Sequence, residues 1–266
     1  MHKEARVSMT YCLAMRLKEG LVFCSDSRTN AGIDNVSAYS KMHRFSVEGS
    51  RHFTLLSAGN LATTQAVVKK LRTDMTQSGP SLRTVSTVQE AVDYVGVVNA
   101  LVQRQQAERD AAHTNFEATF IFGGQIAGQK PEIFMVYPQG NYIHESREHP
   151  FLQIGEIKYG KPILDRVVSP ELDLERAARC ALVSMNSTMR SNATVGPPID
   201  LLIYRRNVFD EGRFLHLGED DAFLQAIGQC WSEGLIQALE TLPKFSWETA
   251  ADTQAVSHVY PFPPNS

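Results

Sequence analysis

The stretch TYCLAMRLKEGLVFCSDSR, residues 10–28, decides the fold. Residues 10–17 and 21–25 are apolar runs of strand length. Lys18-Glu19-Gly20 between them reads as a tight turn, with glycine where positive φ is easiest. The second run ends on a carboxylate, Asp26. A carboxylate at the end of an apolar strand is partly withdrawn from water, and burying it without a partner is costly.

Outward from this hairpin, a polar stretch covers residues 26–40. Strands follow at 43–47 and 53–57, separated by the turn Glu48-Gly49-Ser50. Two helices come next, over 61–75 and from Thr87 to about Arg109. The second opens on a Thr87/Glu90 capping box and carries Val88, Ala91, Val92, Val95, Val98 and Val102 as one apolar stripe. Strands return at 118–123, 132–137, near Tyr142 and at 151–154, with turns at Gly123-Gly124, Gly128 and Gly140. A short helix is expected over 161–168. Ser169-Pro170 then reads as an N-cap with proline at the first helical position, opening a helix to about Met189. Strands at 198–204 and 214–217, a helix over 220–239 and a Pro-rich tail complete the chain.

Hairpins outnumber parallel crossovers in this order, and helices come in pairs. The class is α+β: two antiparallel sheets packed face to face, each covered by helices, in a four-layer αββα sandwich. Residues 10–243 are expected to form one domain, with 244–266 a C-terminal tail.

The chain has 266 residues, 43% hydrophobic and 21% charged, with a net charge of −3 and a pI near 6.2. This composition supplies a sizeable core. Lys and Arg are scattered, which gives a nucleic-acid partner no electrostatic footing. No apolar run reaches the length of about 18 residues that a membrane helix needs. Residues 1–8 (MHKEARVS) lack the apolar segment of a secretory signal, so a cytoplasmic location is expected. Cys12, Cys24, Cys180 and Cys230 have no metal-type spacing and read as reduced thiols in a core.

Chemistry starts at Met9-Thr10. Initiator methionine is removed readily before a small residue, and a chain beginning at Thr10 would carry a hydroxyl and an α-amine on adjacent carbons. An α-amine titrates at about 8, so it can serve as base for its own hydroxyl. Lys41, just before a strand, is a plausible partner for Asp26, and its charge beside Thr10 would favour a neutral amine and a more acidic hydroxyl. Gly59, in Ser57-Ala58-Gly59-Asn60, lets backbone approach a substrate and offers an N–H suited to an oxyanion hole. Taken singly, each has a plainer reading: a strand start, a turn aspartate, a solvated lysine, a strand-to-helix turn with Asn60 as N-cap.

Together, Thr10, the run from Leu21 through Asp26 to Arg28, Lys41 and Ser57-Ala58-Gly59 resemble the proteasome β-subunit family in order and near-spacing. The wording of residues 9–34 (MTYCLAMRLKEGLVFCSDSRTNAGID) and 154–166 (IGEIKYGKPILDR) is similar to its bacterial branch known as Anbu, the ancestral β-subunit. The resemblance runs from Met9 to about Leu239 and implies the N-terminal-nucleophile hydrolase fold. It also implies roles: Thr10 as nucleophile and base, Asp26 orienting Lys41, Gly59 in the oxyanion hole, and Arg28 as a structural arginine near the site. Neither cofactor nor metal is implied.

Two departures stand out. Glu156 replaces the serine that the family usually has after the glycine matching Gly155, and Asn192 stands where the family has its second acidic residue. Glu156 would stand in for the missing carboxylate or contact a neighbouring subunit. Residues 1–9 are either a leader removed by Thr10 or the product of a start assigned too early, Met9 being itself a good start.

The expectation is a threonine-type peptidase subunit acting on peptide or protein substrates inside a homo-oligomeric ring or ring-like spiral, with an unfoldase partner left open. The alternatives are a catalytically silent shell subunit, which Asn192 and Glu156 favour, and an amidase for small molecules. The C-terminal helix and the tail aromatics Trp247, Tyr260 and Phe262 would serve in subunit packing.

Overall fold

A computed structural model describes residues 10–30, 36–109, 115–245 and Glu248. Residues 1–9 and the tail residues Trp247, Tyr260 and Phe262 lie outside the described residues. The opening hairpin forms as expected: β1 (Tyr11–Leu17) and β2 (Gly20–Asp26) pair antiparallel, with Leu17 opposite Gly20. Gly20 is required by close approach, because a Cβ there would lie 2.0 Å from the carbonyl oxygen of Tyr204.

The first sheet takes in three further strands: β10 (Phe151–Gly155), β11 (Ile199–Arg205) and β12 (Arg213–Leu217). Its order is β10-β1-β2-β11-β12. The second contains β5 (Met42–Val47), β6 (Arg51–Gly59), β7 (Ala118–Ile126), β8 (Glu132–Val136) and β9 (Tyr142–His144), in that order. All pairings are antiparallel.

Alternation along the strands divides the apolar residues among three cores. Cys12, Ala14, Leu21 and Phe23 face Leu56, Ile121 and Ile133 between the sheets. Leu13, Met15, Val22 and Leu201 meet Leu164, Ala181 and Met185 of α3 (Lys161–Val167) and α4 (Leu174–Ser191) on one outer face. On the other, Phe53, Leu55, Phe120 and Phe122 pack on α1 (Leu61–Asp74) and α2 (Val88–Arg109). The valine stripe of α2 is wholly within that core. The four layers αββα are therefore present.

A polar contact also crosses between the sheets. The ring of His52 on β6 stacks on Tyr204 of β11, with centroids 4.5 Å apart and planes 13° from parallel. The Tyr204 hydroxyl donates to Gln125 Oε1 on β7 at 3.0 Å.

Several local expectations are corrected. Gly123-Gly124 is not a turn: β7 runs through both to Ile126. The glycines are there for space, since a Cβ would lie 2.7 Å from Ile133 Cγ2 at the first and 2.1 Å from the His52 carbonyl at the second. Helix α4 opens at Leu174 on Asp173, whose side chain accepts the Arg176 amide at 2.8 Å, and not at Ser169-Pro170. The Pro170 carbonyl is instead taken by the Lys18 amide at 2.8 Å, which ties that segment to the first turn. The polar stretch after Asp26 contains two short strands, β3 (Arg28–Asn30) and β4 (Val36–Ala38). In the α2 capping box, Thr87 accepts the Glu90 amide at 3.0 Å, but the Glu90 carboxylate takes the amide of Ser86 rather than that of Thr87. Cys230 is exposed rather than in a core.

The chain divides into two compact units at Ile227/Gly228. The last helix, α5 (Ala222–Glu240), begins in the first unit and ends in the second. Among the described residues, no helix is long and apolar enough to cross a membrane.

Candidate active site

Asp26 is the last residue of β2 and has no exposed surface. Its Oδ1 accepts from two donors, Lys41 Nζ at 2.7 Å and the amide of Tyr11 at 3.0 Å. Lys41 and the peptide that joins Thr10 to Tyr11 thus converge on one oxygen. The sequence separates Tyr11 from Lys41 by 30 positions; antiparallel pairing of β1 with β2 and the entry into β5 bring them together. Burial pushes the Asp26 carboxyl up, and Lys41 is the chief opposing influence, followed by the amides of Tyr11 and Gly196. Lys41, itself buried, also donates to the Arg28 carbonyl at 2.8 Å. Its own carbonyl accepts the Ser57 amide at 3.0 Å, which fixes it against the end of β6.

Arg28 and Asn192 belong to the loop side of the site. Arg28 Nη1 donates to the Ala193 carbonyl at 2.8 Å, and its guanidinium fills the place a Cβ on Gly196 would need. The Gly196 amide reaches Asp26 Oδ2 at 3.4 Å. Asn192 shapes the loop by accepting from the amide and hydroxyl of Thr194, at 3.0 and 2.6 Å. Its Nδ2 donates to Glu156 Oε2 at 3.0 Å. Glu156 is buried, and its amide donates to the Thr10 carbonyl at 2.8 Å. The two unusual residues therefore touch each other, and the pair is fastened to the backbone of Thr10.

Gly59 ends β6 at φ +112°, a conformation side chains avoid, and a Cβ there would lie 2.4 Å from the Glu117 carbonyl. Asn60 caps α1 through the Thr63 amide, so this junction is a strand-to-helix turn in which the glycine makes room for the Glu117 carbonyl. The thiols of Cys12 and Cys24 are wholly buried, and burial pushes both up, which removes them as nucleophiles. Among the described residues, no group of three or more His, Cys, Asp or Glu is placed to hold a metal ion.

The sequence pattern of the family described as proteasome subunit matches residues 9–204. The chain belongs to the proteasome subunit family. Solved proteasome-family structures similar to it include Anbu (ancestral beta-subunit) from Yersinia bercovieri, 42% identical over 89% of this chain and 100% of that one, with a TM-score of 0.84. The helical assembly of the Anbu complex from Pseudomonas aeruginosa is 45% identical over 91% and 99%, with a TM-score of 0.85. Anbu from Hyphomicrobium sp. strain MC1 is 44% identical over 89% and 100%, with a TM-score of 0.81. No curated protein sequence matches the chain. The expected resemblance to the Anbu branch and the N-terminal-nucleophile hydrolase fold are both borne out.

Sequence reading missed one contributor to this proteasome-family site, Gly196. Its amide is useful only because the loop after α4 folds back over β2. The cue was the run Thr194-Val195-Gly196-Pro197-Pro198, which marks a loop without saying what it covers.

Proposed function

We propose that this proteasome-type subunit is a threonine-type peptidase, with Thr10 as its N-terminal nucleophile once the residues before it are removed. The observation that carries this reading is the buried Lys41–Asp26 pair, joined at 2.7 Å on the oxygen that also holds the amide of residue 11. The Thr10 α-amine takes the proton of its own Oγ, and Oγ attacks the carbonyl carbon of the scissile peptide. The ammonium of Lys41 favours the neutral amine and the developing alkoxide. The oxyanion of the tetrahedral intermediate is met by the Gly59 N–H. Collapse expels the product amine, which leaves with the proton from the Thr10 ammonium. Water activated by the same amine then hydrolyses the ester and frees Thr10.

The subunit works in the cytoplasm, and its place in a homo-oligomeric ring or spiral is supported by the helical assembly of the Pseudomonas aeruginosa Anbu complex. Peptides or unfolded protein are the substrate class, delivered where needed by an unfoldase. Against the silent-subunit reading stands the contact of Asn192 with Glu156, which returns a carboxylate to the neighbourhood of Thr10.

Intact mass of the purified protein tests the proposal. A mass beginning at Thr10, with a single covalent adduct from a β-lactone that Thr10→Ala does not form, supports it. Retention of Met9 with no adduct overturns it.

A further inference from the structure

Asp26 and Lys41 touch in space but stand 15 residues apart in the chain. The segment between them leaves the first sheet through β3 and reaches the second through β4. Its two ends meet again where the Tyr39 amide donates to the Ser27 carbonyl at 2.8 Å. Beside them on β11 lies Asp200, with no exposed surface.

Asp200 Oδ2 accepts from Ser40 Oγ at 2.7 Å and from Ser27 Oγ at 3.4 Å. Ser27 immediately follows Asp26, and Ser40 immediately precedes Lys41. The other oxygen, Oδ1, pairs with His216 Nδ1 at 2.6 Å across the β11–β12 ladder. These partners are two hydroxyls and an imidazole, and a buried carboxylate held in this way grips its donors firmly. Ser40 is the stronger grip by distance. Its Oγ also accepts from the Met42 amide at 3.3 Å, so it holds the backbone on both sides of Lys41.

We propose that Asp200 is a positioning residue for the threonine-peptidase reaction, its Oδ2 clamping through Ser40 and Ser27 the two ends of the segment that carries Lys41 and Asp26. The role rests on the peptidase reading above, while the clamp itself is a matter of geometry. Lysine reaches its partner through four flexible torsions, and a 2.7 Å bond survives only where its backbone is fixed to a fraction of an ångström. Asp200 provides that fixture without touching a reacting atom. An apolar side chain would fill the same space, as Leu202 and Tyr204 do farther along β11, but would hold neither serine.

The test uses the full-length protein and its Ser40→Ala, Ser40→Thr and Asp200→Asn variants. Ser40 is exposed, so its variants fold even where the buried Asp200 variant does not. In crystal structures, Lys41 Nζ is expected to lose Asp26 Oδ1 in Ser40→Ala and to recover it in Ser40→Thr, which keeps the hydroxyl. On a fluorogenic peptide, kcat is expected to fall about tenfold in Ser40→Ala with KM unchanged, and to recover in Ser40→Thr. A Lys41–Asp26 bond that persists in Ser40→Ala overturns the clamp. Displacement of Lys41 in Ser40→Ala, in a protein whose wild type and Thr10→Ala are equally inert to peptides, keeps the clamp and overturns the peptidase reading.

Discussion

Lys41 meets Asp26 at 2.7 Å with both side chains withdrawn from water, on the oxygen that also receives the amide of Tyr11. A buried ion pair is a weak source of net stability, yet removing one partner strands the other charge. Lys41→Ala is therefore expected to destabilise the fold by about 3–5 kcal/mol and to reduce peptide hydrolysis by at least about 100-fold. Lys41→Arg does not rescue activity, because a planar guanidinium cannot occupy the place of a compact ammonium between Asp26 and the Arg28 carbonyl. Denaturant titration and steady-state rates check both.

Gly59→Ala forces a side chain into φ +112° and against the Glu117 carbonyl. The expected cost is about 1–3 kcal/mol in stability. The turn shifts with it, and loss of an oxyanion donor lowers kcat by about 100-fold. A variant with wild-type kcat would remove Gly59 from the mechanism.

Glu156 and Asn192 offer a different kind of comparison. Glu156→Gln keeps an acceptor for Asn192 Nδ2, and its stability stays close to wild type. Glu156→Ala leaves that amide unpaired at a partly buried position and costs about 1–2 kcal/mol. The backbone amide of residue 156 holds the Thr10 carbonyl in every variant, so the expected fall of about tenfold in kcat for Glu156→Ala comes from losing the Asn192 contact that steadies this segment beside Thr10. Equal rates in the two variants and the wild type would reduce the pair to scaffolding.

Burial lowers His52 and His43 from 6.5 to about 4 each. The unfolded chain takes up protons below pH 6.5 that these folded imidazoles refuse until about pH 4. Their neutral state thus supports the fold fully above pH 6.5, and that support is lost as pH falls through the window. The slope is about 1.4 kcal/mol per pH unit for each histidine at most. Denaturant midpoints measured between pH 7 and pH 4 should fall, and more shallowly in His52→Gln, which cannot titrate.

Legibility in the sequence followed the range of the interaction. Strands β1 and β2, the valine stripe of α2 and the Asn60 cap all rest on contacts within a few residues, and pattern alone exposed them. Glycine and proline misled where their reason was distant. Gly123-Gly124 makes room for Ile133 and His52, and Pro170 is held by Lys18. The Asp26–Lys41 partnership was inferable because a buried acid needs a cation. The Glu156–Asn192 bond, spanning 36 residues, and the grip of Asp200 on Ser27 and Ser40, spanning 173 and 160, have no local trace.

Two greasy sheet faces pressed together have little to say about their mutual offset, since one aliphatic contact is nearly as good as the next a short slide away. The stack of His52 on Tyr204, with Gln125 closing over the phenol, works as a dowel between the layers. It sits opposite Leu21, at the other end of β2 from Asp26. Thr10 and Asp26 ride on one layer, Lys41 and Gly59 on the other. A substitution at this dowel would thus be felt as a misaligned nucleophile, several strand residues away from the damage.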